Sequence, residues 1–203
     1  MPRGFSEKER EVVRGRLFTE GKALFERYGL ARTTVEDLTR AAGIAKGSFY
    51  RFFASKELLY MELLEREEAA LKSAILDAAR AEPDARAAFV AVMHQMLDYV
   101  HTDSLVGRLR ESGDYAILTR AVDAERLEGH FDEDLATAES FLAVLREKGA
   151  VCDVDTRVFA GLLRGIALTA LQEQQIGADV ADSAMKLLVS YVADGLIGKG
   201  ENK

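Results

Sequence analysis

Residues 33–53 constrain this chain more tightly than any other stretch. Thr34 stands where a helix N-cap belongs, with Asp37 at the third helical position and Val35, Leu38 and Ala42 on one face. Gly43 supplies the turn that follows, because a left-handed backbone is costly for any residue with a Cβ. A second short helix is predicted over about 46–52, and Ser55 is placed to cap a long one running to about residue 80. Two short helices crossing over a glycine turn, with a long helix directly behind, form a helix-turn-helix.

The rest of the chain also reads as helix. Ser6 with Glu9 is a capping-box pattern that opens a first helix over about 6–28. Val13, Leu17, Gly21, Leu24 and Tyr28 share one face of it, and Gly29 stops it. The long helix after Ser55 shows Leu59, Leu63, Leu64, Leu71 and Ile75. Pro83 suits the first turn of a fifth helix. Residues 104–128, broken by Gly107, Ser112 and Gly113, give only short helical patterns. Stronger ones follow over about 130–148, 155–176 and 180–197. Residues 150–154 are the sole strand candidate and read better as a connector. Only two prolines interrupt the chain, so the expected fold class is all-α.

The net charge of −7 is misleading for function until it is divided by region. Residues 1–60 hold 12 Lys and Arg against 8 Asp and Glu, and the remainder holds 15 against 26. Phosphates respond to local charge, since screening removes distant charges beyond ~10 Å at moderate salt. A basic end carrying a helix-turn-helix therefore points to the DNA major groove, where such motifs place one helix end. No apolar run approaches the ~18 residues of a membrane span, and Met1 to Glu7 lacks a signal-peptide core. The expected location is the cytoplasm. Cys152 is the single cysteine, which excludes an internal disulfide framework.

Four segments in fixed order resemble the tetracycline-repressor (TetR) family of bacterial transcriptional regulators. They are Phe25-Glu26-Arg27-Tyr28-Gly29, Thr33-Thr34-Val35-Glu36-Asp37-Leu38, Ala41-Ala42-Gly43-Ile44-Ala45-Lys46-Gly47-Ser48-Phe49-Tyr50 and Phe53-Ala54-Ser55-Lys56-Glu57-Leu58-Leu59. The resemblance covers about residues 8–65. It implies an all-helical homodimer, with an N-terminal helix-turn-helix DNA-binding domain over 1–54 and a C-terminal effector-binding and dimerisation domain over 55–203. It implies that Ala45, Lys46, Gly47 and Ser48 enter the groove, that Tyr50 grips a phosphate and that Lys56 binds another. The residues themselves say that Phe49, Phe52 and Phe53 pack inward, which leaves Lys46, Ser48, Tyr50 and Arg51 on a free face. Thr33 and Thr34 can offer a hydroxyl or N–H to a phosphate at a helix N-terminus.

So short a recognition helix reads too few bases alone, and a twofold pair would read a palindromic operator in double-stranded DNA. The last two helices supply apolar faces for such a homodimer through Val158, Leu162, Ile166, Ala170, Leu187, Leu188, Tyr191 and Val192. Effector-lining candidates are Phe89, Met93, Met96, Leu97, Val100, Leu109, Tyr115, Leu118, Phe131, Phe141, Phe159 and Leu163. This Met-rich and Phe-rich set suits a small lipophilic ligand. His94 and His101 are two turns apart, too far for chelation by one helix, and neither a metal nor a cofactor is expected. Glu67, Glu68, Asp132, Glu133 and Asp134 read as solvated helix faces, and no catalytic motif is present, so an enzyme is not expected. The expected function is a ligand-released repressor. The alternative is a helical ligand-binding or adaptor protein without a specific operator.

Overall fold

The computed structural model describes residues 6–149, 151–177 and 179–197. Among these residues ten α-helices follow one another: α1 Glu7–Arg32, α2 Val35–Ala42, α3 Lys46–Phe49, α4 Lys56–Ala81, α5 Ala85–Val100, α6 Leu105–Ser112, α7 Tyr115–Ala121, α8 Ala124–Lys148, α9 Thr156–Leu171 and α10 Ala181–Leu196. Among the described residues the β pairing is limited to an isolated antiparallel bridge between Val151 and Ile197. The fold class is all-α. The chain forms two compact units, one of residues 1–67 with 103–124 and one of 68–102 with 125–203, so the division falls inside α4.

Local chemistry sets the helix ends. Ser6 and Glu9 form a reciprocal capping box at α1, and Thr34 and Asp37 do the same at α2. Ser55 accepts the N–H of Leu58 at 3.2 Å and so caps α4. Helical geometry in α1 breaks at Gly29 (φ 79°, ψ 170°), a conformation open to glycine almost alone, so the regular helix ends where the sequence placed its stop. Asp84, and not Pro83, opens α5 by accepting the N–H of Ala87. The segment that resisted sequence reading is α6 and α7, separated by Gly113 at φ 69°. α8 starts at Ala124, ahead of the expected residue 130, with Gly129 inside it. α9 stops at Leu171, short of 176, and a 3-10 turn at Glu173–Gln175 follows.

In the first unit Leu17, Phe25, Leu30, Leu38, Phe49, Leu59 and Tyr60 are fully buried. Gly21 makes this packing possible: a Cβ there would stand 3.1 Å from Leu59 Cδ2 and 3.4 Å from Leu38 Cδ2. α6 is fastened to α1 and α4 by polar contacts. Tyr60 donates its hydroxyl to the Leu105 carbonyl at 2.6 Å, and Arg108 Nε donates to the Glu26 carbonyl at 2.6 Å. Glu67 accepts the Leu105 N–H and pairs with Lys22 at 2.7 Å, a hydrogen bond that holds the lysine above its ordinary pKa range. Glu67 is therefore a structural ligand and not a solvated charge. Glu68 (20% exposed) and Asp134 (30%) are likewise drawn inward, whereas Glu133 at 71% sits in solvent as expected.

The second unit is organised on aromatic rings. Phe89 stacks on Phe141 with centroids 6.2 Å apart, and Phe141 meets Phe159 at 5.8 Å. All three are at most 1% exposed. Gly21→Leu is expected to destabilise the protein by about 1–3 kcal/mol through overpacking against Leu38 and Leu59, read as a lowered urea midpoint. An unchanged midpoint would mean that α1, α2 and α4 do not approach as described.

Candidate nucleic-acid interface

The backbone from Gly29 to Thr34 has to leave one helix and start another, which strands several carbonyls and amides. Lys56, at the start of α4, answers three of them. Its ammonium donates to the carbonyls of Leu30 (2.6 Å), Ala31 (3.2 Å) and Thr33 (2.7 Å). Asp114, 6% exposed, accepts the N–H of Ala31 at 2.9 Å from the α6–α7 corner. Thr33 is 1% exposed and donates its hydroxyl to the Gly29 carbonyl at 2.7 Å, while its N–H goes to the same carbonyl.

These contacts revise two sequence expectations. Thr33 has neither hydroxyl nor N–H to spare for a phosphate, and the Lys56 ammonium is committed to carbonyls of its own chain. Both act by fixing where α2 begins. Thr34 remains exposed, with its N–H and hydroxyl turned to Asp37, whose carboxyl the hydroxyl and then the N–H hold below the ordinary 3.8. The capping box does not use the first-turn N–H groups of Val35 and Glu36, and the helix dipole favours an anion there.

From α2 the chain turns through Gly43 in the left-handed region (φ 70°), and the Ile44 N–H closes back on the Thr39 carbonyl at 3.0 Å. α3 is one helical turn, extended by tight turns to Phe53. Phe49 is fully buried, lying 5.9 Å from Phe53, which in turn meets Phe18 edge-on at 5.7 Å. Arg14 and Arg66 lie over Phe18, and Glu62 holds Arg14 with both carboxylate oxygens. With its inner side anchored in this way, α3 presents Ala45, Lys46, Gly47, Tyr50 and Arg51 outward, with Ser48 half-buried and Tyr50 57% exposed. The structure brings these six together on one small surface. Phe52, expected to pack fully, is half-buried. Lys46 lies 3.6 Å from Glu36, an exposed pair of the kind worth little in water. A cationic, aromatic and hydroxyl-bearing surface with no bulk at Ala45 and Gly47 can approach a duplex closely, contact phosphates and reach base edges.

The remaining candidates fall as follows. Phe89, Met93, Leu97, Val100, Phe141 and Phe159 are buried in the second unit, with Met96 and Leu163 half-buried and Phe131 39% exposed. Leu109, Tyr115 and Leu118 belong to the first unit and are not part of that cluster. Among the interface candidates Val158 (63%), Leu187 (54%), Leu188 (39%) and Tyr191 (67%) are exposed, with Leu162 and Val192 half-buried. Ile166 and Ala170 are 3% and 1% exposed and pack inside their own unit, so they are removed from the outward face. Sequence reasoning missed Asp114 and Arg108, whose partners lie more than eighty residues away.

A helix-turn-helix held by such a frame, within an all-helical chain, defines a class of DNA-binding module. Residues 17–63 match the family model described as bacterial regulatory proteins, tetR family. Over this segment, about a quarter of its length, the chain is similar to the tetR family. It is 32% identical over 81 residues to the nucleoid occlusion factor SlmA of Haemophilus ducreyi, a match spanning 40% of each chain. Over its whole length the fold is that of a TetR-family transcriptional regulator from Pectobacterium atrosepticum, with a TM-score of 0.76 and 19% identity, covering 96% of this chain and 99% of that one. It is also that of RolR in complex with resorcinol, with a TM-score of 0.67, 18% identity and coverage of 96% and 99%. No described helix is long and apolar enough to cross a membrane.

The two possible roles of Lys56 separate in one experiment. Lys56→Met is expected to lower stability by about 1–3 kcal/mol, because three carbonyls lose a charged donor. The slope of log affinity for DNA against log salt is expected to stay unchanged. A slope reduced by about one with full stability would restore Lys56 as a phosphate contact.

Proposed function

We propose that the protein is a homodimeric, sequence-specific transcriptional repressor, released from a palindromic operator by a small lipophilic effector. One observation carries the reading: the fully buried Phe49 pins α3 so that Lys46, Tyr50 and Arg51 face outward beside the anion-favouring start of α2. In this division of labour residues 1–54 bind DNA and 55–203 dimerise and sense the effector. Ala45, Lys46, Gly47, Ser48, Tyr50 and Arg51 meet the duplex, Thr34 marks the phosphate site at α2, and Thr33 and Lys56 position it. The work is binding rather than catalysis, and it belongs in the cytoplasm, where the DNA is.

The exposed apolar residues of α9 and α10 support a twofold partner. Val158, Leu187, Leu188 and Tyr191 are large, and α9 adds Gly161 and Gly165, where a Cβ would meet nothing within 4 Å. Large apolar side chains beside small ones suit close helix packing with a second copy. Two such modules, centred about 34–36 Å apart, would read one face of a palindrome. The Met and Phe side chains of the second unit supply the effector site, and RolR, which shares the fold, holds resorcinol. Release then follows by linkage: the effector weakens DNA binding only as far as it prefers the conformer that does not fit the operator.

Two measurements test this. An operator selected from random duplexes is expected to be palindromic. Lys46→Ala and Tyr50→Ala are each expected to weaken its binding at least about tenfold, the size of losing one to two kcal/mol of base or phosphate contact, with unchanged thermal midpoints. Full affinity in both would displace the recognition surface from α3, and salt-sensitive binding without sequence preference would leave only nonspecific association. No DNA binding at all would favour the adaptor alternative. Tyr191→Asp is expected to convert the dimer to monomers in sedimentation equilibrium while helical content is retained. A persistent dimer would place the interface elsewhere.

A further inference from the structure

Much of the positive charge around the helix-turn-helix is engaged by the first unit itself. Arg14 is held by Glu62, and Lys22 by Glu67 and Glu26. Arg40 lies 3.9 Å from Glu36 and 3.6 Å from Asp37, and Lys46 shares Glu36 at 3.6 Å. Lys56 is committed to three carbonyls. A phosphate that approaches Lys46 or Arg40 has to compete with a carboxylate, and at Lys56 with backbone oxygens.

Arg16 differs. It is exposed on α1, next to the buried Leu17 and Phe18 that seat this turn of the helix in the core. A Cβ built on Gly43 would stand 3.9 Å from Arg16 Nη1, so the guanidinium lies beside the turn that joins α2 to α3. Among the described residues Arg16 forms no ion pair, not even with Glu20 one turn further along α1, and it donates to none of the carbonyls that end α2. Its five N–H groups are thus left without a protein acceptor. Gly43 is exposed, and Ala45, the first of the outward residues of α3, follows it by two residues, a chain distance of at most about 8 Å. Arg16 therefore adjoins the surface on which a duplex would lie, and phosphates feel an exposed cation over ~10 Å at moderate salt. The C-terminal end of α2 carries a partial negative charge that a phosphate meets unfavourably, and Arg16 stands next to it. Its guanidinium is charged at every working pH, and its fork fits two phosphate oxygens.

We infer that Arg16 is a phosphate contact, which extends the DNA-facing surface from α2 and α3 onto the first helix. It supplies an uncommitted cation to a surface from which Lys56 is withdrawn. The contact is to the backbone of the duplex, so it adds affinity without reading sequence. The inference rests on the reading of α3 as the recognition surface and adds α1 to it.

Fluorescence anisotropy of the full-length chain with the selected operator, and with a scrambled duplex of the same length, reads affinity and its salt dependence together. Arg16→Gln is expected to make the slope of log affinity against log salt shallower by about 0.9. Affinity is expected to fall about three- to tenfold for both duplexes at ~0.1 M salt, with the thermal midpoint held. Arg16→Lys keeps the charge and is expected to keep the slope. An unchanged slope in Arg16→Gln, or a slope lost equally in Arg16→Lys, overturns the inference. So does a weakening confined to the operator, which makes Arg16 a base contact, or one that follows a lowered thermal midpoint, which makes it a support for the end of α2. In each of those cases the unaltered chain still binds the operator, and the reading of α3 stands. Failure of the unaltered chain to bind either duplex overturns both.

Discussion

The chain between α1 and α2 cannot satisfy its own backbone. Gly29 takes the helix out of register, and the next few residues expose carbonyls and amides that neither helix can pair. Lys56 closes this gap from one side with three donated hydrogen bonds, and Asp114 closes it from the other by accepting the Ala31 N–H. Each uses a charged group at low exposure, where a lost partner is expensive. The first residue of α2 is set by this clasp. α2 in turn sets the Gly43 turn, and the turn sets the angle at which α3 leaves the surface.

That dependence explains why the outward face of α3 can be so small. A four-residue helix has no cooperative stability of its own. Its direction comes from Phe49 and Phe53, buried against Phe18, and from the stack of Arg14 and Arg66 on that ring. In the second unit Phe89, Phe141 and Phe159 fill the centre, and its charged side chains pair at partly exposed positions, among them Arg86 with Asp194 and Lys72 with Asp134.

What the sequence made legible was local. Ser6, Thr34 and Ser55 could be read as caps and Gly29 and Gly43 as stops, because those signals act within four residues. The outward set on α3 followed from the aromatic spacing around Phe49. The resemblance assigns Lys56 to a phosphate, and nothing nearby in the sequence announces its partners, which are backbone carbonyls of another segment, nor that Thr33 turns its hydroxyl back to Gly29. Glu68 and Asp134 share that problem, since only the meeting of α4, α8 and α9 makes them neighbours of cations and His130. Periodicity alone could not sort the two apolar sides of α9: Val158 faces out and Ile166 faces in, although both belong to the same hydrophobic pattern. Residues 104–128 hid two short helices because Gly113 divides one helical pattern into pieces too small to recognise.

Gly47 has a wider consequence. A Cβ built there meets no other atom within 4 Å, and the backbone is ordinary helix. A Cβ added at this exposed position would therefore disturb no internal contact. On the proposed reading of α3 as the recognition surface, a lineage carrying this scaffold could alter what it recognises at a position with little influence on whether the chain folds.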